Sequence, residues 1–272
     1  MVERATAIQV DDLGVRYNLN LTRRNTLKES LAGLNRRRSS TRPTHFWALR
    51  HLTFRLDQGE SLGVIGPNGA GKSTLLLALA GILEPSEGDV RLAGRVSTLL
   101  TLGAGFEMDL TGRDNIGLIG AFMGLGGAQV AELTPSIIEF ADIGQFIDAP
   151  IKTYSTGMRA RLGFAIATAT QPDILLLDEV LGTGDQAFRA RSQRRIQELI
   201  ANARAIVLVT HDLSYVMDFC SKVILLEAGH AVQEGDPAEM VEVYRERIEQ
   251  RKRLAEEEAR RFEDDAGNPA TG

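Results

Sequence analysis

The chain has 272 residues, 43% of them hydrophobic and 25% charged, the composition of an ordinary globular protein with room for one large α/β domain or two small ones. A single cysteine, Cys220, excludes a disulfide framework and a cysteine-based zinc site, and no apolar run reaches the roughly 18 residues needed to cross a bilayer. The net charge of −5 argues against a dedicated nucleic-acid binder, and the acidic opening MVERATAIQVDDL lacks the features of a signal peptide, so a cytosolic location is expected.

Residues 5–17 (ATAIQVDDLGVRY) read as a first strand and its exit. The stretch 18–45 that follows is polar and basic. It carries Arg23, Arg24, Lys28, Arg36, Arg37, Arg38 and Arg42 against the one acid Glu29. Within it Leu27, Leu31 and Leu34 stand at helical spacing behind Thr26, a suitable N-cap with Glu29 three residues on, so a short amphipathic helix inside an insertion is expected. Strand patterns resume at 46–56 and 60–66, then at 96–102, 172–180, 205–211 and 222–229, alternating with helical stretches. That alternation predicts a mostly parallel sheet covered by helices. From about Ala238 to Asp265 the chain reads as a charged helix with Glu249–Arg253, Glu256–Arg260 and Glu257–Arg261 at i, i+4, followed by a disordered tail.

Gly66-Pro67-Asn68-Gly69-Ala70-Gly71-Lys72-Ser73 fits GxxxxGK[ST], with an apolar strand before it and a helix-forming run from Thr74 after it. Glycines let the backbone wrap phosphates with successive N–H groups and the following helix N-terminus. Lys72 would place its charge between the terminal phosphates, and the Ser73 hydroxyl could ligate Mg²⁺. In ILLLDE (174–179) four apolar residues deliver Asp178 and Glu179 to a strand's C-terminal end, where open α/β sheets bind ligands. Asp178 would hold Mg²⁺ and Glu179 would polarise the attacking water as general base.

With these pieces the sequence resembles the ABC ATPase family over about residues 5–245. The deciding segment is Tyr154-Ser155-Thr156-Gly157-Met158, similar to the family's LSGGQ signature and placed at the usual distance before the magnesium-binding aspartate. The resemblance implies a P-loop ABC fold, with a mostly parallel core sheet, an antiparallel β subdomain and a helical subdomain at about 105–170; residues 246–272 would form a C-terminal appendage. It implies that Ser155, Thr156 and Gly157 bind ATP held by an opposite subunit, so that two copies form a homodimer with two composite ATP sites. It assigns His211 as the switch histidine, Asp185 of Leu181-Gly182-Thr183-Gly184-Asp185 as the acid of the dimer-contacting loop, and Tyr17 as the aromatic stacking on adenine. One departure stands out. The family carries a glutamine near residues 101–103, whereas this chain has none between Gln58 and Gln129. Thr101 or a backbone carbonyl takes that role, or coupling to the membrane partner differs.

Residues 99–116 (LLTLGAGFEMDLTGRDNI), the YSTGM and LGTGD variants and the basic insertion resemble the ATP-binding subunits of polysaccharide exporters, nearest to those moving a cell-wall galactan precursor. This implies a polytopic membrane permease as partner, a polyprenyl-diphosphate-linked glycan as cargo, and a peripheral position on the cytoplasmic face of the membrane. Only about thirty residues follow Val241, too few for the carbohydrate-binding β-sandwich some such exporters carry. The basic insertion, with Arg36, Arg37 and Arg38, is expected to meet anionic head groups or the cargo's pyrophosphate. An ABC subunit for another solute, or a soluble ABC ATPase of cofactor assembly, remains an alternative at this stage.

Overall fold

A computed structural model describes residues 5–18, 45–99, 105–178 and 185–266. Strands β1 (Thr6–Asn18), β2 (His45–Asp57) and β4 (Glu87–Leu92) form an antiparallel sheet in the order β2-β1-β4. The larger sheet has the order β5-β6-β7-β3-β8-β9, from β3 (Glu60–Ile65), β5 (Val96–Thr98), β6 (Ile174–Asp178), β7 (Ala205–Val209), β8 (Lys222–Glu227) and β9 (His230–Gly235). It is parallel except for the β8–β9 pair. The central strands AIVLV and ILLL are buried along their length, as expected of strands covered on both faces.

The helices are α1 (Lys72–Leu79), α2 (Gly112–Phe122), α3 (Gly127–Ala141), α4 (Thr156–Ala167), α5 (Gln186–Asn202), α6 (Leu213–Phe219) and α7 (Pro237–Ala266). One core lies between the two sheets and takes Leu75, Leu76 and Leu79 of α1. Across the parallel sheet, Leu175, Leu177, Ile206 and Leu208 meet Phe188, Ile196 and Leu199 of α5. A separate helical core gathers Ile116, Ile137, Ile147 and Ile151.

Helix α4 joins these lobes. Its Leu162, Ala165 and Ile166 enter the helical core, while Phe164 enters the α5 core. There Phe164 packs with Phe140 and Phe188, ring centroids 5.7–5.9 Å apart. Of the strand expected over 96–102, Val96–Thr98 is seen as β5, and residues 100–102 lie outside the described residues. Helix α7 crosses residue 245 without a break; Met240, Val241 and Tyr244 are buried against β8, and Arg247 and Arg251 pair with Glu227. On its outer face Glu249 meets Lys252 at 3.2 Å. The basic insertion, including the helix expected at 26–34, lies outside the described residues, as do Thr101, Glu179 and 267–272.

Candidate active site

The turn after β3 is built for close approach of backbone. Gly66 has φ 151°, and a Cβ there would stand 2.1 Å from the Leu226 carbonyl oxygen. Gly71 has φ 105°, and a Cβ there would meet the Ala48 carbonyl oxygen at 2.5 Å. Any side chain would force the loop away from β8 and β2. The same neighbours fix it: Gly229 N donates to Ala70 O at 3.0 Å, and Arg50 N donates to Gly229 O at 2.9 Å. The loop thus rests on the β8–β9 turn, which rests on β2.

Helix α1 begins at Lys72, so the loop delivers the helix's N-terminal amides, where anions are favoured. Lys72 is 7% exposed, and its Nζ donates to Gly66 O at 2.7 Å and Pro67 O at 2.9 Å. A buried ammonium solvated by loop carbonyls is a charge held inside the phosphate-sized turn. Ser73 Oγ donates to Asp178 Oδ2 across 3.4 Å, bringing the hydroxyl of α1 to the carboxylate at the end of β6.

Tyr17, Asn68, Gly69, Gly71, Lys72, Ser73, Thr74, Asp178 and His211 line one cavity of about 440 Å³. His211 follows β7, beyond Thr210, whose hydroxyl accepts the Asp212 amide at 3.0 Å; Asp212 in turn caps α6 through Ser214. The Ser214 hydroxyl, and then the Ser214 amide, donate to the Asp212 carboxyl and hold it below its usual range. The cavity also has a lining residue that the sequence reading missed, Phe46, directly opposite Tyr17 in the β1–β2 register. The available signal was its place at the start of β2, across a long insertion from Tyr17.

Ser155, Thr156 and Gly157 do not line this cavity; they are exposed in the first turn of α4. Ser155 is the N-cap, its Oγ accepting from Met158 N at 3.2 Å. Gly157 faces open space, a Cβ there meeting only Ser155 Oγ at 3.8 Å. Tyr154 is buried and donates from its hydroxyl to Phe146 O at 2.6 Å, anchoring the turn to the helical lobe. Asp185 also stands off the cavity. It caps α5 by accepting from Phe188 N at 2.9 Å and pairs with Arg161 of α4. The Phe188 amide first, and then Arg161, keep its carboxyl below the usual range. Sequence reading missed Arg161, which also reaches Asp142 and lies over the Phe188 ring at 5.0 Å.

A glycine-cradled loop between a parallel strand and a helix, with an acid at the neighbouring strand's end, defines the P-loop nucleotide-binding class. Helical and antiparallel β lobes added to that core have the arrangement of ATP-binding cassettes: one dimeric cassette, in a post-hydrolysis state bound to ADP and Pi, superposes with TM-score 0.63 at 19% identity, covering 85% of this chain and 98% of that one. The chain belongs to the ABC transporter family, whose profile matches residues 49–182. It is 44% identical over 201 residues to a teichoic acids export ATP-binding protein of Listeria innocua, covering 74% of this chain and 60% of that protein. It is 40% identical over 201 residues to an O-antigen export system ATP-binding protein of Klebsiella pneumoniae, covering 74% of this chain and 82% of that protein. The match spans only about half to three fifths of the length of several other curated relatives of these two kinds.

Proposed function

We propose that the chain is the ATP-hydrolysing subunit of an ABC exporter that moves a polyprenyl-diphosphate-linked polysaccharide, such as an O-antigen-like glycan or a galactan, across the cytoplasmic membrane. The observation that carries the mechanism is the division of the site. Lys72, Ser73, Asp178 and His211 share one cavity, while Ser155–Gly157 lie exposed on another surface of the same chain. A second copy related by two-fold symmetry would bring its α4 N-terminus to that cavity, giving two composite sites in a homodimer. The export role is supported by the two relatives, whose names are those of O-antigen and teichoic acid export ATP-binding proteins.

ATP fits the cavity through its phosphates. The glycine turn leaves backbone room that a Cβ would fill, and Lys72 and the α1 amides supply the positive end. Ser73 and Asp178 form an oxygen donor pair suited to Mg²⁺, which prefers hard oxygen ligands. Bound there, Mg²⁺ would neutralise charge developing on the phosphates. Glu179, next after Asp178, would orient the attacking water as general base, and His211 would meet the terminal phosphate. Closure of the dimer on ATP and reopening after hydrolysis would be transmitted to a polytopic permease, with the chain peripheral on the cytoplasmic face. Among the described residues no helix is long and apolar enough to cross a membrane.

The test is co-expression with a candidate permease and measurement of glycan export from cells. Export that requires both proteins and is lost in Glu179→Gln, which should bind ATP and stall as a closed dimer, is expected. Full export with Glu179→Gln, or recovery of the chain only in soluble complexes, would overturn the reading.

A further inference from the structure

We infer that Phe46 forms a second aromatic wall, beside Tyr17, against which the nucleotide base packs. This rests on the ATP reading above and specifies what the base meets in the same site.

The β1–β2 pair is antiparallel with Tyr17 opposite Phe46 and Arg16 opposite Trp47. Directly opposed residues point to the same face, and successive pairs point to opposite faces. Tyr17 and Phe46 therefore project together into the cavity that Lys72 and Ser73 also line. Trp47 projects to the far side, where its ring is covered by Arg50 at 4.7 Å and Arg16 at 5.3 Å. The two neighbouring aromatics of β2 thus have different fates. Trp47 has its face taken by cations. Phe46 is 54% exposed and Tyr17 39% exposed, with no ring or cation stacked on either among the described residues.

An apolar ring left half open at the mouth of a polar cavity gains from being covered by a planar, weakly hydrated group, and a purine is such a group. Ala48, two residues along β2 from Phe46 and buried, lines the same cavity. Stacking on a ring is itself indifferent to which purine is bound, since every base has a π-face.

The experiment measures binding of ATP, GTP and inorganic tripolyphosphate to the purified full-length chain with Mg²⁺, comparing wild type with Phe46→Ala and Phe46→Trp. Phe46→Ala is expected to weaken ATP and GTP alike by about 10-fold, the range that loss of one base-stacking ring gives. Tripolyphosphate binding should stay at the wild-type value, and Phe46→Trp should restore both nucleotides. Unchanged ATP affinity in Phe46→Ala would overturn the inference. Equal weakening of tripolyphosphate would also overturn it, by showing that the phosphate end had been disturbed. A wild-type chain that binds tripolyphosphate but neither nucleotide overturns the base reading alone, whereas one that binds none of the three overturns the ATP reading beneath it.

Discussion

Ser73 Oγ and Asp178 Oδ2 lie 3.4 Å apart although 105 residues separate them in the chain. The contact exists because β6 runs beside β7, which runs beside β3, so the end of β6 and the start of α1 emerge at the same edge of the sheet. On the proposed reading, these two oxygens, only weakly bonded to each other, would together hold a divalent cation. Ser73→Ala and Asp178→Asn should each lower Mg²⁺-dependent ATP hydrolysis by about 10²-fold, the cost of losing one preorganised electrostatic group. The double variant should be no worse than the poorer single one, because both act through one ion. Steady-state hydrolysis over a Mg²⁺ titration checks this; additive losses would show two separate roles.

Lys72 sits 7% exposed with its ammonium on the Gly66 and Pro67 carbonyls. In Lys72→Ala those carbonyls lose charge-assisted donors, and the loop should lose about 1–3 kcal/mol of local order. ATP binding should fall together with hydrolysis, whereas Asp178→Asn should retain binding in EDTA. Isothermal titration with and without EDTA separates the two variants.

These two groups were legible because they are local. The glycine loop and the acid-ended strand are each contiguous words in the sequence, and the physical reason for each residue lies within ten positions of it. Phe46 and Arg161 were not legible. Phe46 meets Tyr17 across an insertion, and only the β1–β2 register sets the pairing. Arg161 reads as one more charge on a helix, yet it bridges the ends of α3 and α5 at Asp142 and Asp185.

The Arg161–Asp185 pair ties the signature helix α4 to the first residue after the segment that carries Glu179. Asp185→Asn keeps an oxygen for the Phe188 amide and removes the charge facing Arg161. It should lower kcat for ATP by several-fold while leaving nucleotide affinity near wild type, and Arg161→Ala combined with it should add little. Because the Asp185 carboxyl is held below its usual range, the junction keeps this support above that range and loses it as pH falls through the depressed value. A kcat unchanged in both variants would mean that the pair is only structural.

Tyr154 donates to Phe146 O at 2.6 Å from a buried position, directly before the signature serine. Tyr154→Phe keeps the packing and leaves that carbonyl without its donor, at a cost of about 1–2 kcal/mol. Urea unfolding should show the loss. Because Ser155 follows in the chain, hydrolysis by the dimer should also fall, with nucleotide binding by the single chain preserved.

Cys220 gives a prediction independent of the nucleotide. Its Sγ occupies the space beside Gly63, where a Cβ would stand 3.0 Å from the sulfur, and apolar side chains from two cores pack around it. Burial pushes the thiol from its usual 9.0 up to about 12. The thiolate is the reactive form, so at pH 8 the folded chain should react with a disulfide reagent about 10³-fold more slowly than the unfolded chain, from the thiolate fractions alone. Since the folded state holds this proton more tightly than the unfolded state, the thiol's contribution to stability is complete below pH 9.0 and is lost as pH rises toward 12. Cys220→Ala should flatten that alkaline decline in denaturation midpoint between pH 9 and 11. Rapid labelling of the native protein at pH 8, or an alkaline decline identical in Cys220→Ala, would show that the thiol is open to solvent.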